Sequence, residues 1–377
     1  MSRTVLIANP SLDVYGADLQ MVESVKGMRD AGWKVVVASP TPGPLAERLT
    51  ELGAEVRVVP YPVLRRADSS VAGLLRLGVS ALAALPRMRR LARSVGPDVC
   101  YVNTVTLPWW LVAGRRRGVP VVCHVHEAEP DVRASVRRAM ASPLLLATAV
   151  LVNSRTSLDT LCDSLPRLRS RSRLVYNGVP GPDSDPEPPA LGRPIRIVSV
   201  GRLSPRKGPD LALEATALLV AEGYDVALEL CGTVVPGQEA FLADLERRAD
   251  RPDLQGRVTF TGYASPIWPA LARADLFLAP ARAEPFGNAV VEAQLAERPV
   301  VATAQQGHLE TVADGETGLH VRTEDPAAMA RALARLIDDP ALARSLAVAG
   351  RERATVLFGA ERYRTDIRTA LEDLLDG

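Results

Sequence analysis

A chain of 377 residues is too long for one ordinary core and fits two domains of typical size, and its 47% hydrophobic content can fill both. The net charge of +1 conceals a division: residues 1–180 hold 24 Lys and Arg against 14 Asp and Glu (+10), and the remainder holds 21 against 30 (−9). No apolar run approaches the roughly 20 residues of a membrane span and no secretory pattern opens the chain, so the expected compartment is the cytosol. Aromatic residues, at 4%, do not interleave with the basic runs, so nucleic acid is not an expected partner. Cys100, Cys123, Cys162 and Cys231 are far apart and read as free thiols, with no disulfide and no zinc site expected.

Thr4–Ala8 reads as a first buried strand, followed by the loop Asn9–Tyr15 and a helix that begins at Gly16. A loop at the carboxyl end of a first strand is where open α/β sheets take ligands. Further strands are expected at Lys34–Ala38, Glu55–Pro60, Asp98–Val102, Pro120–Val125, Ala149–Asn153 and Arg173–Tyr176, separated by helical patterns. That alternation implies a parallel, doubly wound sheet, and the absence of Gly-x-Gly-x-x-Gly argues against hydride chemistry. In His124-Val125-His126-Glu127 the two-residue period puts both histidines on one side, with His126 nearer the carboxyl end where ligands gather. A satisfied strand-end histidine and a site residue both fit that position. No third ligand follows at metal spacing.

Within Ser69–Val95, Leu74, Leu75, Leu82 and Leu85 fall on one helical stripe, Pro86 is expected to end the helix, and Arg87, Arg89, Arg90 and Arg93 follow. An ordinary core-packing helix with a solvated basic end fits this pattern, and so does a seat on an anionic leaflet. Arg115–Arg117, Arg133, Arg137 and Arg138 add positive charge.

Asn177-Gly178-Val179 ends the first set of strands, and the proline-rich stretch Pro180–Pro194 reads as a linker, in which Asp183-Ser184-Asp185 is a solvated turn rather than a metal pair. A second set of strands is expected at Ile195–Val200, Val226–Cys231, Val258–Thr261, Asp275–Leu278, Pro299–Ala302 and Gly318–Val321. The loop Gly201–Gly208 feeds a helix and carries Arg202 and Lys207, a forked cation and a compact one, which together suit a diphosphate. In Glu284-Pro285-Phe286-Gly287-Asn288-Ala289-Val290-Val291-Glu292, Pro285 disfavours helix at Glu284, Gly287 relaxes the turn, and Asn288 is the expected N-cap of a helix. Its start favours an anion, so carboxylates beside it suit another task, such as accepting hydrogen bonds from sugar hydroxyls. Two solvated acids, or a glycoside-hydrolase pair, are the competing readings, the latter weakened because eight helical residues span about 12 Å against the ~5 Å of a retaining pair.

Gly-Arg-Leu-x(3)-Lys-Gly at 201–208 and Glu-x(7)-Glu at 284–292, with Pro-Phe-Gly inside it, resemble the signature of retaining, nucleotide-sugar-dependent glycosyltransferases of the family four type. The resemblance extends over nearly the whole chain and is strongest from Ile195 to Val321. It implies the GT-B fold: two doubly wound parallel-sheet, Rossmann-like domains facing a central cleft. Residues 1–180 would bind the acceptor, 181–194 form a linker, 195–358 bind the nucleotide sugar, and 359–377 form a helix crossing back to the first domain. The implied reaction moves a sugar, with retention, from a nucleotide diphosphate sugar to an acceptor hydroxyl in cell-surface polysaccharide or glycolipid synthesis, with no metal or other cofactor.

By the same resemblance His126, Glu284, Arg202 and Lys207 are catalytic, Gly16, Arg202, Lys207, Phe286, Gly287 and Asn288 hold the donor diphosphate, Glu292 holds the ribose, and Thr259–Tyr263 lies at the base. The chain departs from the family at Tyr15-Gly16-Ala17, where two glycines are usual, and at Gln306-Gly307-His308-Leu309-Glu310, where Gln306 replaces a glycine and makes Glu310 a weaker candidate. The acceptor implied is a sugar or a lipid-linked molecule, with an anionic membrane surface as a further partner for a cytoplasmic enzyme peripheral at the inner face. The rival is a sugar-nucleotide epimerase or hydrolase of the same fold that acts on the donor without an acceptor.

Overall fold

The valine- and leucine-rich runs form strands buried on both faces, as parallel sheets covered by helices require. The computed structural model describes residues 2–14, 16–64, 71–115, 118–127, 130, 132–189 and 192–376, and divides into two compact units, residues 1–178 with 360–377 and residues 179–359. In the first unit β1 (Thr4–Ala8), β2 (Lys34–Ser39), β3 (Glu55–Val58), β4 (Val99–Val102), β5 (Val121–Val125), β6 (Ala149–Val152) and β7 (Ser172–Leu174) form a parallel sheet in the order β3-β2-β1-β4-β5-β6-β7. In the second, β8 (Ile195–Val200), β9 (Val226–Cys231), β10 (Val258–Gly262), β11 (Leu276–Ala279), β12 (Val300–Thr303) and β13 (Leu319–Val321) form another, in the order β10-β9-β8-β11-β12-β13. Every strand expected from the sequence is present, with ends displaced by two residues or fewer. The strand order reverses between β1 and β4 and between β8 and β11, so the loops leaving those strands open a crevice in each unit.

The helix Val71–Val95 corrects an expectation, because it runs through Pro86 without a break. Leu77, Ala81, Ala84, Met88 and Ala92 pack inward, while Pro86 lies on the exposed side, where water can satisfy the carbonyl left without an N–H. The exposed apolar stripe consists of Leu75, Val79 and Leu82, at 67%, 68% and 71% accessibility. Leu85 is half-buried against the core instead, and Ser69, the Leu74 side chain, Arg116 and Arg117 lie outside the described residues. At about 100° per residue, Arg89 and Arg93 continue the exposed stripe, and the helix contains no acidic residue.

The C-terminal helix Ala360–Asp376 packs within the first unit, burying Tyr363, Ile367, Ala370 and Leu371 against Val22, Val25 and Met28 of the helix Gly16–Asp30. The Tyr363 hydroxyl pairs with Ser24 Oγ at 2.7 Å, and the buried Glu23 carboxylate accepts from Arg364 at 2.6 Å and Lys26 at 2.8 Å. Within the second unit, Asp185 pairs with Arg351, and the Glu187 carbonyl accepts from Arg298. Tyr363→Ala should destabilise the first unit by about 3–5 kcal/mol. A lower urea midpoint with an unchanged slope is expected, and an unchanged midpoint would show that the helix contributes little.

Candidate active site

The loops leaving β8 and β11 line one pocket of the second unit, to which Arg202 and Lys207 come from the first loop, Glu284 and Gly287 from the second, and His308 from the segment after β12. The two loops are tied together. Arg206 Nε donates to the Ala283 carbonyl at 3.0 Å, the Arg282 N–H donates to the Arg206 carbonyl at 2.8 Å, and Arg282 grips Asp210 through two bonds of 2.8 and 2.7 Å. Such close approach requires Gly208, at φ 68°, because a Cβ there would stand 2.3 Å from the Pro280 carbonyl oxygen.

The helix Asn288–Leu295 is capped by Gly287 at φ 102°, which corrects the expected Asn288 cap: the turn needs a left-handed backbone, and glycine adopts it without steric cost. Phe286 is buried against Phe358, with ring centroids 5.5 Å apart. The positive end of that helix adds to the cations of the pocket. Gln306 takes φ 44°, a backbone that costs a non-glycine residue about 1–2 kcal/mol, which gives a physical reason for the glycine usual at this point in the resembled family.

Lys207 Nζ donates to Glu284 Oε2, the carboxylate largely buried and the lysine half-buried. Burial pushes the Glu284 carboxyl up, but the Lys207 charge, with His308 and Arg206 beyond it, outweighs burial and holds the group below the usual carboxylate range. Burial pulls His308 down to about 4 against the pull of Glu284, so its ring is neutral near pH 7, and its Nδ1 lies 3.2 Å from the Thr303 carbonyl oxygen. Glu292 lies further along the same helix, outside the pocket lining, and its carboxyl makes no hydrogen bond or ion pair among the described residues. Burial raises it to about 7. Glu310 is half-buried, and its carbonyl accepts from Arg353 at 2.8 Å.

In the first unit the carboxyl ends of β1, β4 and β5 deliver Asn9, Asn103 and His126 to one cluster. His126 Nε2 lies 3.1 Å from Asn103 Oδ1, and Asn103 Nδ2 donates to Asn9 Oδ1 at 2.7 Å. The His124 and His126 ring centroids are 4.1 Å apart, on the same side as the two-residue period requires. Burial lowers both, His126 to about 4, so the His126 ring is neutral near pH 7. Glu127 folds back, accepting from the His126 N–H at 2.9 Å and from Thr104 Oγ1 at 2.6 Å. Gly16 opens the helix Gly16–Asp30 and is exposed, whereas Tyr15 lies outside the described residues. Asn9, Asn103 and Asp18 were missed as site residues. A polar residue directly after a buried strand at the reversal of strand order is the signal that could have found the two asparagines.

Two family models match the chain: Glycosyltransferase Family 4 over residues 14–181 and Glycosyl transferases group 1 over residues 183–353. Among curated relatives, D-inositol 3-phosphate glycosyltransferase 1 of Catenulispora acidiphila is 29% identical over 87% of this chain and 84% of its own. Alpha-D-kanosaminyltransferase of Streptomyces kanamyceticus is 26% identical over 87% and 91%. Among solved structures, Anabaena HepE in complex with UDP and glucose superposes with a TM-score of 0.83 over 98% of this chain and 99% of its own, at 23% identity. A glycosyltransferase from Rickettsia africae does so with a TM-score of 0.83 over 99% of both, at 18% identity.

The raised Glu292 carboxyl makes a prediction free of any substrate. Its folded value of about 7 lies above its unfolded one, so the native state loses stability as pH rises from the unfolded value through 7. Glu292→Gln, neutral throughout, should therefore stabilise the chain by up to about 3 kcal/mol at pH 8 and by almost nothing at pH 4. Melting curves at the two pH values test this, and equal shifts at both would refute it.

Proposed function

We propose that this chain, a glycosyltransferase of the GT-B fold that uses a nucleotide-sugar donor, transfers its sugar with retention of configuration. The observation that carries the reading is the Lys207–Glu284 pair beside the start of the helix Asn288–Leu295, at the reversal of strand order in the second unit. Arg202 and Lys207 bind the donor diphosphate together with the backbone at Phe286, Gly287 and Asn288, and the family resemblance of its loop assigns Gly16 to the same ligand. Glu284, held ionised, accepts hydrogen bonds from hydroxyls of the donor sugar, and Glu292 takes the ribose diol. The first unit binds the acceptor, and His126 serves the reaction as a neutral ring.

In the reaction the bond from the anomeric carbon to the leaving phosphate oxygen breaks while the acceptor oxygen bonds that carbon on the same face. The acceptor's proton passes to the leaving phosphate. Charge growing on the phosphate is met by Arg202, Lys207 and the backbone N–H groups, donors of a kind each worth about 2.7–4 kcal/mol, and this supports a reaction that needs no metal. A donor-only epimerase or hydrolase is not favoured, since the curated relatives carry the names of transferases.

Arg202→Ala and Lys207→Ala should each lower turnover by about two orders of magnitude with the fold intact, in assays that also retain activity in a chelator. Near-normal rates in both variants would reject the diphosphate assignment. Full-rate consumption of the donor with no acceptor present would favour the epimerase or hydrolase. Glu284→Ala should damage transfer more than binding of the free nucleoside diphosphate, and Glu292→Ala the reverse.

A lipid-linked acceptor in polysaccharide or glycolipid synthesis is supported by the helix Val71–Val95, whose exposed Leu75, Val79 and Leu82 adjoin Arg89 and Arg93 with no acid among them. An apolar stripe continued by cations complements an anionic leaflet. Among the described residues no helix is long and apolar enough to cross a membrane. The protein should therefore sediment with anionic vesicles at low salt and be released at high salt, whereas no binding at low salt would leave a soluble acceptor as the better reading.

A further inference from the structure

The cluster at the carboxyl ends of β1, β4 and β5 is ordered by groups that can only accept. Asn9 Nδ2 donates to the Ser11 carbonyl and, at 2.6 Å, to Asp18 Oδ1, while Ser11 Oγ donates to Asp18 Oδ2 at 2.9 Å. A reversed Asn9 amide would set its oxygen against a carbonyl and a carboxylate, so its nitrogen must face them and its Oδ1 must face Asn103. Asn103 is fixed in turn. Its Nδ2 spends one hydrogen on Asn9 Oδ1 at 2.7 Å and the other on the Ala17 carbonyl at 3.1 Å, which leaves Oδ1 facing His126 Nε2 at 3.1 Å.

We infer that Asp18, Asn9 and Asn103 are positioning residues that set the tautomer of His126, placing its proton on Nε2 and leaving Nδ1 as a bare acceptor. This rests on the proposed function only for what the acceptor is used for, namely a hydroxyl of the sugar donor or of the sugar acceptor. Nδ1 is buried and has no hydrogen-bond partner among the described residues, so the relay prepares a hydrogen-bond site and leaves it unfilled. The ring is neutral near pH 7 because burial pulls it down, which a tautomer requires. Burial also pushes the Asp18 carboxyl up to about 6 against its bonds from Asn9 and Ser11, with Asp13 adding to the rise, so Asp18 is mainly ionised at pH 7 and anchors the chain as a pure acceptor. The second ring nitrogen of a histidine is commonly fixed in this way by the bond its partner nitrogen makes.

The test is a long-range proton–nitrogen correlation spectrum of the full chain labelled at its 4 histidines, near neutral pH, with His126 assigned by its loss in His126→Gln. His126 should show the neutral pattern with the proton on Nε2. Asn103→Ala should convert it to a mixture of tautomers, with kcat falling while KM for the donor stays within about twofold. Asp18→Asn, which can still accept from Asn9, should keep the wild-type pattern, and Asp18→Leu should lose it. A proton on Nδ1 in the wild type, or a pure Nε2–H pattern surviving in both Asn103→Ala and Asp18→Leu, would overturn the inference. Should Asn103→Ala fail to fold, Asn103→Ser, which shortens the side chain beyond reach of His126, provides the same comparison. The spectrum needs no substrate, so its failure is separable from failure of the transferase reading, which the activity assays address.

Discussion

The ion pair between Lys207 and Glu284 is the interaction on which the pocket of the second unit depends. A largely buried carboxylate such as Glu284 is costly unless a cation and further hydrogen bonds compensate it. The two residues stand 77 positions apart. What brings them together is the strand order β9-β8-β11-β12, which places the loops leaving β8 and β11 side by side, and the Arg206 and Arg282 bonds that fasten one loop to the other. The fold therefore assembles the charges before any ligand arrives, and their desolvation is already met.

Several groups in and around the pocket and the cluster work against stability. Glu292 is a partly buried carboxyl raised to about 7, Asp18 a buried one raised to about 6, and Gln306 adopts a left-handed backbone. Each is a local cost that packing alone would remove by substitution, and such costs gather where a protein keeps groups for a ligand. The first unit shows the same economy in polar form: Asn9 and Asn103 use every amide hydrogen on fixed acceptors, so the order of the whole cluster follows from one carboxylate and two carbonyls.

The strands were legible because most are short apolar runs, many of them ended by Gly, Pro or Asn, and their alternation with helical patterns left few topologies open. The cations Arg202 and Lys207 were legible because a loop after a first strand is a place where ligands bind, and Glu284 because Pro285 and Gly287 mark the turn that carries it to the pocket. Other features depend on tertiary context. Pro86 stays within a helix because its side of the helix faces water, a fact no local pattern contains. Gly287 displaces Asn288 as cap because the chain enters that helix with a left-handed turn. Asn9, Asn103 and Asp18 are unremarkable singly, and only the adjacency of β1, β4 and β5 or their loops makes them one network.

The most direct test of the account is a calorimetric comparison of wild type and Lys207→Met binding a nucleoside and its diphosphate, with the base chosen by screening uridine, guanosine, adenosine and thymidine diphosphates. If the pair is a preassembled grip on phosphate, the substitution removes a hydrogen bond to a charged group, worth about 1.5–3 kcal/mol. Diphosphate binding should then weaken by about 10- to 150-fold while nucleoside binding is unchanged. Equal weakening of both ligands, or undiminished binding of the diphosphate, would contradict the account.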